Sequence, residues 1–567
     1  MATRHVGSDL FDFTEGRFLF NEKQRLAERH VEFNVDALAE AVCNSTSRPL
    51  SDLTAITKLA EGGFNRMIQV SFSDGYAVLA RIPYQKTSPK NLVIASEAAT
   101  LSLLRSHGLP VPKVLGYSTT CHNPVGTEYV FLEKVEGRPL GGQWFSMNNK
   151  ARFKIMSQIV DLETKYMAIP FAANGSLYHQ RDLDRDALAV PIDRRDLDRD
   201  ALAVPIDQSS SPDDGDCLVL GPTVKYEWWF QERASLDVDR GPWCSFRQCF
   251  EAPARREISY CRTYGKPRLH FNRYLRELHG LQLHSPTDHI KLLNDYLKVS
   301  PYIELPGDHV LARPVLRHPD LSPNNIIVNE DNDIVSIIDW QHAVILPLCL
   351  AASIPQHFQN WGDPISEKLT QPEVKLPPDF EQKDEGEQEQ IKETMRKRLV
   401  HFLYAALTMK QNPSHFSCIS ETSLMTRAKL FSEASAPWEG DSVTLKNALF
   451  AVCQNWPLDK YKNGEVIVPG HGIPVPSEPP LYYTTEEVDQ ATSLYAQEQE
   501  KLTELAEMKE YIGIDSVGWV PDEASLERAI QVRDTIKSEL LKNCESELEI
   551  EATEHHFPFQ DFEDGDD

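Results

Sequence analysis

HPDLSPNNIIVNEDNDIVSIIDWQ, residues 318–341, is the stretch on which the fold turns. Two short β-branched runs, 326–328 and 334–338, flank the Asn- and Asp-rich turn 329–333, so the segment predicts a β-hairpin. The hairpin folds Asp339 back toward Asn325, while His318 and Asp320 sit just ahead of its first strand. Two carboxylates and a carboxamide gathered this way suit phosphoryl transfer: one carboxylate accepts the proton of an attacking hydroxyl, and the others hold magnesium on the phosphates.

Working outward toward the N-terminus, residues 57–136 change from strand-like to helical and back. MIQVSF, a break at Ser73-Asp74-Gly75, and YAVLARI read as strands; ASEAATLSLLRSHG reads as a helix, and EYVFLEKV as a further strand. Gly62 and Gly63 precede the first of these strands. They let backbone N–H groups approach phosphates, but a tight turn alone also explains them.

The order H-x-D-x-x-x-x-N, then a strand ending in IDW, resembles the catalytic core of the aminoglycoside phosphotransferase and protein-kinase-like superfamily. TKLAEGGFNRMIQV, LARIP, NPVGTEYVFLEKVEG, DVDRGPW, HPDLSPNNIIV and SIIDWQ are similar to the fungal altered inheritance of mitochondria protein 9 branch of it, over roughly residues 10–360. The resemblance implies an α+β, bilobal protein-kinase-like fold with a largely helical C-terminal lobe, and ATP and magnesium as cofactors. It makes Asp320 the catalytic base, Asn325 and Asp339 the metal ligands, and His318 a loop-fixing support. Asn324 is expected to bond only its own loop. Arg81 takes the cationic strand position that clamps phosphates, Glu97 is its expected partner, and Gly62 and Gly63 approach the nucleotide. The stretch 128–136 is the expected adenine hinge, binding through backbone groups.

The chain departs from the commoner H-G-D-L-H form through Pro319 and Ser322, which narrow the loop but leave the carboxylates in place. Arginine rather than lysine at position 81, IDW rather than DFG, and no segment ending in APE point away from protein kinases and toward a small-molecule acceptor. No G-x-x-x-x-G-K-[ST] occurs, which disfavours a P-loop enzyme. Two function classes therefore stay open: transfer of the terminal phosphate of ATP to a hydroxyl of a small molecule, or a catalytically inactive nucleotide-binding scaffold or regulatory pseudokinase.

At 567 residues the chain exceeds what one core supports, and 41% hydrophobic residues suffice for more than one. A formal charge of −27 argues against general attraction to nucleic acid or anionic lipid. The ten cysteines show no C-x-x-C pair, which reads as reduced, mostly buried thiols. The longest apolar run, 343–355, is too short for a membrane span and ends in proline, so it is expected in the core. The first residues lack a secretory signal and become acidic too early for a clear mitochondrial presequence, leaving a cytoplasmic or mitochondrial location open. Oligomeric state is not legible.

The organisation expected is a helical lead-in at 1–56, a small nucleotide-binding lobe and hinge at 57–136, and a large catalytic lobe at 137–480. C-terminal helices follow at 481–550, then an acidic, disordered tail at 551–567. QRDLDRDALAVPID at 180–193 recurs as RRDLDRDALAVPID at 194–207, which reads as a duplicated surface insertion. Trp228, Trp229 and Trp243 are expected to pack structurally, with an acceptor-cleft lining as the alternative. The last 23 residues hold ten acidic residues and no Lys or Arg, hence the expected tail.

Overall fold

The computed structural model describes residues 5–7, 9–183, 204–205, 217–373, 375–458 and 475–562. Most of the fourteen-residue repeat and the terminal EDGDD lie outside the described residues. The architecture is α+β, with a sheet-rich small lobe leading into a largely helical large lobe.

A six-stranded sheet forms the small lobe in the order His5–Val6, Leu53–Glu61, Asn65–Phe72, Ala77–Pro83, Tyr129–Glu133, Val114–Ser118. Only the first pairing is parallel. Alternate side chains of a strand face opposite sides, and that parity places the site. Ile68, Val70, Val78, Ala80 and Ile82 point to one face, where they bury against Leu38 and Val42 of the helix Val35–Thr46. Leu79 and Arg81 therefore point to the other face, toward the helix Leu92–Ser106 and the large lobe.

The chain crosses through Tyr129–Glu133 to Arg138–Pro139, which pairs with Ile326–Val328. That strand forms the expected hairpin with Ile334–Ile337, and Asn329 Oδ1 closes the turn by accepting from the backbone N–H groups of Asp331 (3.0 Å) and Asp333 (2.8 Å). Beneath the hairpin one continuous core spans the helices Asn149–Met167, Phe246–Thr263, Pro286–Ile303 and Glu385–Gln411 and those that follow. The run 343–355 belongs to that core: Ile345, Leu348 and Cys349 are fully buried. Among the described residues no helix is long and apolar enough to cross a membrane. All ten cysteines are free, five of them buried. Trp228 and Trp243 pack together with ring centroids 5.2 Å apart in a buried cluster that also holds Trp229.

Two expectations about the ends are corrected. The lead-in is not purely helical: His5–Val6 joins the small-lobe sheet, Arg17–Phe18 pairs with Trp519–Val520, and the strand Leu53–Glu61 starts inside it. The tail is ordered as far as it is described. Glu547–His556 is a helix, and Phe557 and Phe559 bury against Leu19, Phe20 and Ile512. The acidic count hid these two aromatic anchors, whose burial offsets the ordering cost.

Candidate active site

The loop before the hairpin is fixed from both sides. Arg317, at the end of the strand Pro314–Arg317, lies 3.4 Å from the buried Glu163 and donates to the carbonyl of Ser353; Glu163 also accepts from Tyr166 and Tyr404. His318 Nδ1 accepts from the Asp320 N–H (3.1 Å), so its Nε2 carries the proton and donates to the Ile338 carbonyl (2.9 Å). Burial holds this imidazole below its ordinary pKa and therefore neutral. His318 thus ties the Asp320 loop to the residue preceding Asp339.

Asn325 Nδ2 donates to the Asp320 carbonyl (2.8 Å) and to Asp320 Oδ2 (3.3 Å), which turns its Oδ1 away from Asp320. The backbone N–H of Ile338 donates to Asn325 O at 2.9 Å, so the two halves of the motif meet across the hairpin. Asp320 is half exposed and sits 3.6 Å from His357. The His357 imidazole holds the Asp320 carboxyl below the usual carboxylate range, against the opposing effect of partial burial.

Asp339 leaves the hairpin with φ of +65°, and His342 follows at +64°. Such left-handed residues are uncommon outside glycine and concentrate at functional sites. Between them Trp340 turns into the core, 1% exposed, edge-on to His318 (4.6 Å) and Tyr166 (5.4 Å). Asp339 Oδ1 lies 3.2 Å from Arg81 Nη1, which also contacts Glu97 Oε1 at 2.6 Å. Burial pushes the Glu97 carboxyl up to about 7, with Arg81 pulling it back, while Glu97 and Asp339 together hold the Arg81 proton firmly. Glu97 projects from within the helix Leu92–Ser106.

Gly62 and Gly63 form the turn from Leu53–Glu61 into Asn65–Phe72, and neither has a positive φ. A Cβ at Gly63 would meet nothing within 4 Å. The turn does not itself require glycine there. Asn65 donates to Gln341 Oε1, and Phe64 packs against His342 (5.5 Å) and Tyr226 (5.4 Å), so this turn leans on the segment just after Asp339. Asn65 Oδ1, Gln341 Nε2, His342 Nε2 and Glu97 Oε2 are buried without a hydrogen-bond partner among the described residues. Unpaired buried polar atoms also occur elsewhere among the described residues, at Thr100, Asn174, Ser336 and Trp438 for instance.

The structure thus brings His318, Asp320 and Asn325 together, and Arg81, Glu97 and Asp339 together, with Ile338 joining the two sets. Gly62 and Gly63 connect to Asp339 through Asn65 and Gln341. Sequence reading missed His357, Gln341, His342 and Tyr226. His357 had no motif to announce it; Gln341 and His342 directly follow IDW, and their polarity at the end of a buried strand was the available signal.

Gly141 supplies a direct test of the loop. A Cβ there would lie 1.8 Å from Asn324 Oδ1 and 2.9 Å from its Cγ. Gly141→Ala is expected to cost about 1–3 kcal/mol through overpacking and to displace the turn Pro323–Asn325 that presents Asn325. Magnesium-supported nucleotide binding should weaken in calorimetry, and Gly141→Ala with Asn324→Ala should restore it. Equal weakening in the double variant would show that the contact does not matter.

No family model matches the chain. A subtelomeric hrmA-associated cluster protein of Aspergillus fumigatus strain Af293 is 30% identical over 90% of this chain and 97% of its own length, as is its counterpart in strain CEA10. The altered inheritance of mitochondria protein 9 of Saccharomyces cerevisiae strain S288c, mitochondrial by name, is 23% identical over 83% of this chain and 73% of its own length. An aminoglycoside phosphotransferase solved with streptomycin and ATP superposes at a TM-score of 0.32 with 13% identity, over 74% of this chain and 97% of its own. At that level of similarity the fold rests on the strand order and helix placement described above.

Proposed function

We propose that this chain, which belongs to the fungal family of the subtelomeric hrmA-associated cluster proteins and is related to altered inheritance of mitochondria protein 9, transfers the terminal phosphate of ATP to a small-molecule hydroxyl. One observation carries the reading. Asp339 of the large lobe lies 3.2 Å from Arg81 of the small lobe, so a metal-binding type of carboxylate and a phosphate-binding type of cation face one cleft. The fold class supports a phosphotransferase in general terms; the cofactors, acceptor and residue roles are the proposal.

In this reading Asp339 and the Asn325 carboxamide oxygen would hold magnesium, whose charge offsets that of the phosphates. Hard oxygen donors of this kind fit magnesium. Arg81 turns its remaining donors to the phosphates while Glu97 keeps the guanidinium in place. The open space at Gly63 lets backbone approach the same phosphates. Asp320 orients the acceptor hydroxyl and takes its proton, and His318, neutral and bonded at both nitrogens, holds the loop rather than acting as a second base. The mitochondrial relatives support a mitochondrial location for the chain.

Calorimetric titration of ATP with and without magnesium, then a panel of hydroxyl acceptors with ATP labelled at the terminal phosphate, tests the proposal. Asp339→Asn is expected to lower magnesium-supported affinity by at least about tenfold, about 1.4 kcal/mol. Unchanged affinity and magnesium dependence would make Asp339 a structural partner of Arg81. Binding without transfer to any acceptor or to water would favour the inactive scaffold; no binding at all would defeat both.

A further inference from the structure

Away from the cleft, three histidines and a carboxylate meet where the helix Thr485–Ile512 crosses the large lobe. One ligand-type atom from each of His270, His279 and Glu498 lies within 4.8 Å of the others. His279 Nε2 is 2.7 Å from Glu498 Oε1, with both side chains buried. The His270 ring stacks on His279 at 4.9 Å between centroids, and His284 stands edge-on to His279 at 4.8 Å. His284 Nε2 is buried and has no hydrogen-bond partner among the described residues. A simple His279–Glu498 ion pair leaves that nitrogen, and the crowding of three imidazoles, without a purpose.

We propose that His270, His279 and Glu498, with His284 completing the set, form a structural site for a zinc-type divalent metal that pins the helix Thr485–Ile512 to the large lobe. Imidazole and carboxylate donors suit zinc, which takes four of them tetrahedrally at about 2.0–2.2 Å. The ligand atoms of His270, His279 and Glu498 already lie within 4.8 Å of one another, and His284, edge-on to His279 with ring centroids 4.8 Å apart, would turn in as the fourth. His270 Nδ1 accepts from the Asn272 N–H (3.0 Å) and lies 3.3 Å from the Asn272 carbonyl oxygen, so Nε2 would ligate the metal in the other tautomer, with the Nδ1–H turned to that carbonyl. A carbonyl behind a ligating imidazole is the usual orienting partner.

The site would join parts far apart in sequence. Glu498 lies on the same helix as Glu504, which accepts from Tyr274 at 2.9 Å, and as Leu505 and Ile512, which pack with Leu19, Phe20, Phe557 and Phe559. One metal would thereby hold the C-terminal helices and the N-terminal segment on the large lobe.

The test uses full-length protein stripped with a chelator and titrated with Co²⁺ and Zn²⁺. Co²⁺ should bind at one equivalent with the visible absorption of a tetrahedral nitrogen and oxygen site. It should do so equally in an Asp339→Asn background, which separates this site from the cleft. His279→Gln with Glu498→Gln should abolish the absorption, and Zn²⁺ should raise the melting temperature of the parent protein but not of the double variant. If the double variant does not fold, His284→Gln alone should weaken Co²⁺ binding about tenfold, about 1.4 kcal/mol. Folded parent protein without the absorption, or absorption unchanged by these substitutions, overturns the proposal.

Discussion

Asp320→Asn is expected to lower phosphate transfer by about 10²–10⁴-fold while leaving ATP–magnesium affinity nearly unchanged. The replacement keeps the shape of the side chain and an oxygen for Asn325 Nδ2, now 3.3 Å from Asp320 Oδ2, but cannot take a proton. The backbone contact to His318 survives because it uses the residue 320 N–H. Transfer is read from terminally labelled ATP on any acceptor the panel yields, or on water, and binding is read by calorimetry on the same preparation. The pH profile adds a second check. Because His357 holds the Asp320 carboxyl low, the proposed base should stay ionised through neutral pH, and transfer should be lost only as pH falls through that lowered value. His357→Gln removes the favourable partner, so the acid limb should move upward. Near-normal transfer in Asp320→Asn would end its assignment as the base.

Much of this geometry was legible because it follows from short-range rules. The alternation of YAVLARIP dictated that Arg81 faces away from Val78, Ala80 and Ile82, and the Asn-rich turn between two β-branched runs dictated the return of Asp339 toward Asn325. What did not show were contacts made by long closures. His357 reaches Asp320 through an irregular segment, and Arg317 meets Glu163 and Tyr404 only once three separate elements have packed. Trp340 read as part of a motif, yet its position reflects packing on His318 and Tyr166 that periodicity does not encode. The C-terminal error has the same origin. Charge density argued for disorder, while two phenylalanines found a pocket built from Leu19 and Phe20 of the distant N-terminal segment and from the C-terminal helices around Leu505, Ile512 and Leu526.

The largest stability effect is expected at Glu257, whose carboxylate is fully buried between Arg233 and Arg256. It accepts from Arg233 Nε (3.0 Å), from Arg256 Nη2 (2.8 Å) and from the Trp438 N–H (2.9 Å), joining the helix Phe246–Thr263 to the segments around 233 and 438. Burial pushes this carboxyl up, but the two guanidinium groups outweigh it and hold it below its ordinary value. Glu257→Gln leaves two buried cations facing a neutral amide, so a loss of about 3–5 kcal/mol is expected, measured as a lower urea midpoint of the large-lobe transition. The sign in pH follows from the depressed value. The carboxylate contributes its stability above the unfolded pKa near 4.3 and loses it as pH falls through the folded value, so the gap between parent and variant should be widest near neutrality and close in acid. The effect should reach the cleft. Arg256 lies 4.9 Å from the Trp228 ring, and that segment presents Tyr226 to Phe64 and His342 beside the glycine turn. Glu257→Gln should therefore weaken nucleotide binding at urea concentrations where the parent still binds. Replacing all three charges with apolar residues should recover most of the stability, because the cost lies in stranding the arginines rather than in losing an attraction. A midpoint unchanged in Glu257→Gln would mean that water already reaches the pair, and the buried triad would carry no weight in holding the large lobe together.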